Sequence, residues 1–289
     1  MTDMYRNNNG FTIAQIALGF VVLFLIIITG YIVNQHRLKP VTKSVTITTS
    51  KSPPTTQKAT LEPLISGSNW DGHKWYITDG SMTGVIQGKP SNVLVDQNGY
   101  LHLRISNNNG LYTAGELFSI DNIGFGTYQW QIEGDLDNLD STTVVGLFLY
   151  GPQNGVGVDG EDEIDVEFSR WANTLCNGAC NADFTVYPST GNFNLGQTQD
   201  DFTVGRSGQT ITTARVTWTS TSITGTIMNG LEPLGTVANV IHSWTFAPPD
   251  HQARIPQQPL PIAMNLWSFE KPPTSNQEVI IRDFQYKPL

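Results

Sequence analysis

Short runs of alternating apolar and polar residues recur along most of this sequence, and they constrain its fold more than any other feature. In 92–106, NVLVDQNGYLHLRIS, two such runs flank Asn98-Gly99, a pair that favours a type I′ hairpin turn. Further strand-like runs lie at 127–134, 143–150, 162–170, 183–187, 214–220, 222–228, 262–267 and 278–286. With 27 glycines, 16 prolines and few long amphipathic helical patterns, they predict an all-β jelly-roll sandwich of two antiparallel sheets.

An uncharged apolar segment precedes these runs. Residues 11–33, FTIAQIALGFVVLFLIIITGYIV, are long enough as a helix, at about 1.5 Å per residue, to cross the roughly 30 Å core of a bilayer. We therefore expect a transmembrane helix at 11–33 after a short cytoplasmic leader at 1–10. A cleaved signal peptide is the alternative, but the run is longer than usual and no convincing small-x-small cleavage site follows it.

The start of this segment resembles bacterial prepilin-like proteins, whose leader ends in Gly before a mature chain that begins with Phe. Here these residues are Gly10 and Phe11, while Gln15 stands where such proteins usually carry Glu. The positive-inside rule, applied to the Lys and Arg residues after the segment, would place the C-terminal side inside. The resemblance implies export instead. The expected location is membrane-anchored with the C-terminal domain outside the cell, or secreted after N-terminal processing.

The next segment, 34–63, is rich in Thr, Ser, Pro and Lys, which predicts a disordered linker before a folded domain at 64–289. The chain has a net charge of −9, but residues 64–289 contain ten Lys and Arg against twenty-three Asp and Glu, a net charge of −13. Such a domain repels polyanions, so nucleic acid, sulfated or uronic polysaccharides and anionic lipid are poor candidates for its main ligand. We expect a monomer that meets the membrane through its N-terminal helix.

Two cysteines, Cys176 and Cys180, lie close together in LCNGACN. The five histidines show no H-x-H or HExxH spacing, so a zinc site is disfavoured. A disulfide across a short turn is expected in an oxidising compartment, and two buried free thiols are the alternative.

The stretch EDEIDVEF, 161–168, places three carboxyl groups at every second position, Glu163, Asp165 and Glu167. On a strand they share one face, while the apolar residues between them enter the core. Like charges side by side raise the pKa of at least one member, a cost that folding alone gives no reason to accept. Glycosidic cleavage requires two carboxyls of different pKa, one to attack the anomeric carbon and one to protonate the leaving oxygen. From the row alone, a Ca²⁺-binding or exposed acidic strand is an equal alternative.

With its surroundings the row resembles the signature of glycoside hydrolase family 16, β-glucanases and their relatives with a concanavalin-like jelly roll. DEIDVEF is similar to the family's E-x-D-x-E form, which implies Glu163 as nucleophile, Asp165 as assisting acid and Glu167 as general acid/base in a retaining reaction. The likeness covers most of 70–289. It includes AGELFS (114–119), FGTYQWQI (125–132), GLFLYGP (146–152), ARVTWTSTSITGTIMNG (214–230) and MNLW (264–267).

Five further residues are candidate substrate contacts, three through this resemblance and two as aromatic residues suited to stacking on sugar rings. They are Glu116, Asn265 and Trp267 in the first group, and Tyr187 and Trp171 in the second. Two other tryptophans, Trp130 and Trp218, lie within predicted strands and are expected in the core.

Some positions differ from the lichenases of this family. Phe118 stands where they have a sugar-binding Arg, Glu161 where they have an aromatic residue, and Thr212 where His is frequent. Asp283 resembles a position that helps to bind structural Ca²⁺ in some members, and no cofactor is required. The resemblance therefore implies the reaction more closely than the substrate.

These features together predict a retaining endo-β-glycanase that hydrolyses a neutral polysaccharide, a β-1,3- or mixed β-1,3-1,4-glucan. Three alternatives stay open. A transglycosylase on the same fold would use another sugar to resolve the glycosyl intermediate. A non-catalytic carbohydrate-binding module would not need the acidic row, and a prepilin-like structural subunit is weakened by Gln15.

Overall fold

The computed structural model describes residues 60–205 and 210–289. The predicted leader, the apolar segment and most of the predicted linker lie outside these residues. Among the helices of the described part, none is both long enough and apolar enough to cross a bilayer. The membrane anchor therefore stays a prediction.

Most of the described chain is β-strand. The strands are β1 (Leu61–Pro63), β2 (Asn69–Trp70), β3 (His73–Ile77), β4 (Gln87–Gly88), β5 (Val93–Asp96), β6 (Leu101–Asn108), β7 (Leu111–Ile123), β8 (Gly126–Glu133), β9 (Thr143–Tyr150), β10 (Glu163–Ser169), β11 (Ala182–Val186), β12 (Thr198–Phe202), β13 (Ile211–Trp218), β14 (Ile223–Asn229), β15 (Val240–Phe246), β16 (Leu260–Ser268) and β17 (Gln277–Pro288). Helical segments are short: α1 (His251–Arg254) and 3₁₀ turns at Pro90–Asn92, Gly151–Asn154, Trp171–Asn173, Leu175–Gly178 and Phe193–Leu195.

The longer strands form two antiparallel sheets. Sheet 1 has the order β1-β5-β6-β17-β8-β13-β14-β15, and sheet 2 has the order β3-β7-β16-β9-β10-β11-β12. The β6–β7 hairpin joins the sheets, β2 pairs with β3, and β4 adds a short parallel pairing to β7. The predicted all-β jelly-roll-like sandwich is confirmed.

The core lies between the sheets and takes every second residue of the central strands. In β10, Ile164, Val166 and Phe168 are at most 2% exposed, as the alternation predicts. Trp130 and Trp218 of sheet 1 are buried in the same core, and the Trp218 indole N–H donates to a backbone carbonyl 3.0 Å away. Burial of these apolar residues directs the three carboxyls of β10 away from the core.

The folded part begins before the predicted boundary at Leu64. Leu61–Pro63, assigned from composition to the linker, form β1 and pair with β5, with Leu61 opposite Asp96. This edge strand is held by backbone hydrogen bonds, and most of it is exposed. The polar composition of 34–63 therefore gives no sign of it.

The predicted hairpin forms as β5 and β6, but its turn is not of type I′. The Asp96 N–H donates to Tyr100 O and the Gly99 N–H to Asp96 O, both at 3.0 Å. Within the turn only Gly99 has a positive φ, 84°. The Asp96 carboxylate accepts the N–H groups of Asn98 and Tyr100 at 2.8 and 2.9 Å. These bonds favour a three-residue loop whose left-handed residue is Gly99.

Gly225 of β14 leaves space for the ring of Phe184 of β11 across the core, since a Cβ at Gly225 would lie 2.5 Å from Phe184 Cε1. We expect Gly225→Ala to lower the free energy of unfolding by about 1–3 kcal/mol, because the added methyl group overpacks the core. Urea denaturation measures this change. Gly124→Ala is the control, as a Cβ there meets nothing nearer than 3.8 Å. Equal stability of the two variants would contradict this view of the core.

Candidate active site

The three carboxyl groups of β10 open into a cleft on the face of sheet 2 that points away from the core. The cleft has a volume of about 480 Å³, and Glu163, Asp165 and Glu167 all line it. The other lining residues are Thr83, Gly84, Val85, Glu116, Phe118, Phe148, Tyr150, Asp159, Trp171, Tyr187, Asn265, Trp267, Phe269 and Glu270. The structure thus brings together the three residues that the sequence predicts as catalytic, with all five predicted substrate contacts around them.

Cross-strand pairing arranges the cleft floor in a row. Glu167 is opposite Gly146 on one side and Asp183 on the other. Gly146 is in turn opposite Asn265, which is opposite Glu116. Asn265 Oδ1 accepts a hydrogen bond from the Gly146 N–H at 3.1 Å. Glycine permits this contact, because a Cβ at position 146 would collide with the same oxygen. One row of neighbours therefore carries a predicted catalytic residue and two predicted sugar contacts.

Glu116 and Asn265 are buried at the floor of the cleft and hold each other in place. Asn265 Nδ2 donates to Glu116 Oε1 at 3.4 Å, and the Thr78 hydroxyl donates to Glu116 Oε2 at 2.7 Å. Burial raises the pKa of Glu116, and these two hydrogen bonds act in the opposite direction. Both oxygens of this carboxyl therefore have fixed positions.

Burial, and then the charge of a neighbouring carboxyl, raise the pKa of each of the three carboxyls of β10. For Glu163, burial and then Asp159 raise the pKa to about 8, while a hydrogen bond with Asp165 lowers it. For Asp165, burial and then the charge of Glu163 raise the pKa well above its usual range. Burial, followed by Asp183 and Glu163, does the same to the pKa of Glu167. Of the three, Glu163 alone has a contact that favours its ionised form, so we expect it to ionise first.

Asp183 is a fourth buried carboxyl, next to Glu167. It accepts hydrogen bonds from Trp171 Nε1 and from the Thr185 hydroxyl, each at 2.9 Å. Burial raises the pKa of Asp183 to about 6, although these two bonds lower it. A negative charge held here makes Glu167 keep its proton to higher pH, as a general acid requires.

Aromatic side chains line part of the cleft. Trp171 packs edge-on against Trp267 and Phe269, with ring centroids 5.8 and 5.1 Å away. Trp267 is 5% exposed, so it serves the cleft as a wall and offers little ring surface to a ligand. Burial and then the charge of Asp165 raise the pKa of Tyr187, whose hydroxyl therefore stays protonated.

Two predicted features lie outside the cleft. Cys176 and Cys180 are joined by a disulfide in the segment after β10. Asp283, the predicted calcium contact, acts on another carboxyl, that of Asp71. Burial raises the pKa of Asp71 to about 6, a hydrogen bond from the Phe284 N–H lowers it, and the charge of Asp283 raises it more weakly. The described residues contain no group of three or more His, Cys, Asp or Glu side chains suited to a metal ion. No such group surrounds Asp283 in the described part of the chain, so structural calcium there stays a prediction without support from neighbouring ligands.

The sequence reasoning missed three acidic residues of the site, Asp183, Asp159 and Glu270. Asp183 lies in β11, and Tyr187 follows directly after that strand, four positions further on in the same two-residue register; this spacing could have revealed Asp183. Asp159 accepts a hydrogen bond from the Tyr150 hydroxyl at 3.2 Å. It lies in the loop before β10, where acidic residues at every second position continue back from Glu163 through Glu161 to Asp159, a signal that could have found it. No pattern in the sequence marks residues 83–85 as part of the site, because only the tertiary fold brings them to the cleft.

Known structures share this architecture, although no protein-family model and no curated protein sequence matches the chain. A Bacillus licheniformis β-glucanase is 20% identical with a TM-score of 0.56, over 81% of this chain and 100% of its own. A Mycobacterium marinum β-1,3-glucanase is 19% identical with a TM-score of 0.51, over 81% of this chain and 100% of its own. A Bacteroides ovatus mixed-linkage glucan GH16 protein, solved in complex with a G4G4G3G product, is 12% identical with a TM-score of 0.56. The match covers 77% of this chain and 98% of that protein. This chain has their fold.

We expect Asp183→Asn to lower the pKa of Glu167, because the substitution removes a neighbouring negative charge and keeps an oxygen that can accept the Trp171 N–H. A ¹³C NMR titration of labelled glutamate carboxyls measures the shift directly. Asp201→Asn is the matched control, since Asp201 lies opposite Asp183 one strand further away and should act more weakly. An unchanged Glu167 pKa in Asp183→Asn would remove Asp183 from this role.

Proposed function

We propose that this chain is a retaining endo-β-glycanase of glycoside hydrolase family 16. The observation that carries the proposal is the common orientation of Glu163, Asp165 and Glu167 into one cleft, with Asp165 and Glu163 hydrogen-bonded. The likeness of the fold to β-glucanases and the similarity of DEIDVEF to the family signature support it.

In the proposed reaction, the ionised Glu163 attacks the anomeric carbon while Glu167 gives its proton to the leaving glycosidic oxygen. A covalent glycosyl-enzyme forms, and the ionised Glu167 then takes a proton from the water that hydrolyses it. Asp165 donates a hydrogen bond to Glu163 and so favours the carboxylate before attack. Asp183 keeps Glu167 protonated until the leaving group needs the proton.

Retention requires the two reacting carboxyls to lie about 5–5.5 Å apart. Residues four apart on a straight strand are separated by about 13 Å, so the side chains of Glu163 and Glu167 must lean towards each other. The effect of Glu163 on the pKa of Glu167 supports this closeness. The raised pKa values of the three carboxyls also support catalysis over a binding-only role. A carbohydrate-binding module has no use for carboxyls whose ionisation is opposed by burial and by neighbouring charges.

The charge of the cleft supports a neutral substrate. Its lining contains the catalytic row together with Glu116, Asp159 and Glu270, and no Lys or Arg is among the described residues that line it. This lining therefore offers an anionic sugar no counter-charge. We therefore propose a β-1,3- or mixed β-1,3-1,4-glucan, the polymer classes for which the similar proteins are named.

We also propose that the domain acts outside the cell, either tethered through residues 11–33 or released after N-terminal processing. The disulfide between Cys176 and Cys180 supports this location, because disulfides persist mainly in oxidising compartments.

Glu163→Gln should reduce hydrolysis of laminarin or lichenan by about 10⁴-fold or more, since an amide cannot form the glycosyl-enzyme. Release of reducing sugar measures the rate, and circular dichroism checks that the fold persists. Glu62→Gln, on the exposed edge strand β1, is the control and should cleave like the parent. A Glu163→Gln variant that cleaves at the parental rate would rule out Glu163 as nucleophile.

The pH dependence of kcat/KM should be displaced towards alkaline pH. Activity rises as Glu163 loses its proton, so its acidic limb should lie near pH 8 and not near the ordinary glutamate pKa of 4.5. The alkaline limb, where Glu167 ionises, is raised as well. Asp159→Asn should move the acidic limb to lower pH, because Asp159 raises the pKa of Glu163. An acidic limb near pH 4.5 in the parent would contradict this assignment.

A further inference from the structure

A second, smaller cavity adjoins the cleft. Its volume is about 250 Å³, and Phe118 lines both spaces. Its lining residues are Tyr76, Phe118, Ser119, Ile120, Gln153 and Asn154. None of these side chains carries a charge.

The register of sheet 2 connects this cavity to the catalytic row. Asp165 is opposite Phe148, Phe148 is opposite Ala263, and Ala263 is opposite Phe118. Phe118 is in turn opposite Tyr76 of β3. Directly opposed residues share a face of the sheet, so this line runs along one surface. Four strand-to-strand steps of about 4.8 Å make it about 19 Å long, enough for several sugar rings.

Beyond Asp165, the first residues in this row of opposed residues are apolar. Phe118, Phe148 and Ala263 form a hydrophobic cluster separate from the core, with Tyr150 packed against it. The rings of Phe118 and Phe148 meet edge to face, with centroids 6.1 Å apart. These three side chains are at most 9% exposed, so they form an apolar floor between the carboxyls and the exposed ring of Tyr76.

The end of the line is exposed. Tyr76 is 47% exposed and Ile120 50% exposed. At the edge of the cavity, Asn154 Nδ2 donates to Asn122 Oδ1 at 2.7 Å, which leaves the carbonyl oxygen of Asn154 as an acceptor. An exposed aromatic ring beside amide groups suits an uncharged carbohydrate, whose C–H faces stack while its hydroxyls hydrogen-bond.

We propose that this second cavity is a remote subsite for the same polysaccharide chain whose scissile bond lies at Glu163 and Glu167. Tyr76 is its stacking platform, Phe118 joins it to the cleft, and Ile120 is its apolar wall. The occupant is a neutral β-linked glucan, so the inference rests on the substrate class proposed above. The consequence is a preference for long chains over short ones.

Binding to the full chain carrying Glu163→Gln tests the subsite without hydrolysis. Isothermal titration calorimetry with laminaritriose and laminariheptaose, and with mixed-linkage tri- and heptasaccharides, gives the ratio of long-chain to short-chain affinity. We expect Tyr76→Ala to lower this ratio about tenfold and Tyr76→Phe to preserve it, since the ring supplies the contact. Leu111→Ala, which removes a 67% exposed side chain from the far end of β7, is the matched control.

The outcomes separate this inference from the proposed function. If the parent cleaves glucans while Tyr76→Ala leaves the affinity ratio unchanged, or Leu111→Ala lowers it equally, the subsite is wrong and the function stands. If the parent cleaves no glucan but binds the heptasaccharides more tightly through Tyr76, the subsite stands and the proposed hydrolysis fails. If neither series binds, the subsite is overturned.

Discussion

The two-residue repeat of β10 is the constraint on which the proposed site depends. Its apolar residues are buried between the sheets, so a register shift of one residue would move three carboxyls into the core. Pairing with β9 and β11 on both sides opposes such a shift. Packing on one face of the strand therefore offsets the cost of holding three like-charged groups, partly removed from water, on the other face.

Neighbouring side chains complete the electrostatics that β10 begins. Trp171 and Thr185 donate hydrogen bonds to Asp183, and Thr78 and Asn265 donate to Glu116. These donors come from different strands and loops, so the carboxyls beside the catalytic row are fixed by tertiary structure. Fixed dipoles of this kind need little reorganisation when charge develops in a cleft.

Local spacing was enough to predict the parts of the molecule that are periodic. The run predicted at 143–150 coincides with β9, and the alternation in 161–168 was enough to assign the three carboxyls of β10 to one face. The polar strand β12 and the edge strand β1 could not be found this way, because pairing and not burial makes them strands. The contact between Gly146 and Asn265 likewise depends on a register between residues distant in sequence.

The raised pKa values of the cleft also link folding to proton uptake. Between pH 4.5, where Glu163 would ionise in the unfolded chain, and its folded value of about 8, the folded protein binds more protons than the unfolded one. The contribution of Glu163 to the unfolding free energy therefore decreases as the pH rises through this interval. This contribution favours the folded domain in a mildly acidic medium, whereas the carboxylate form of Glu163, the proposed nucleophile, exists mainly towards alkaline pH. The Glu163 carboxyl thus contributes most to stability and is most reactive at opposite ends of the same pH range.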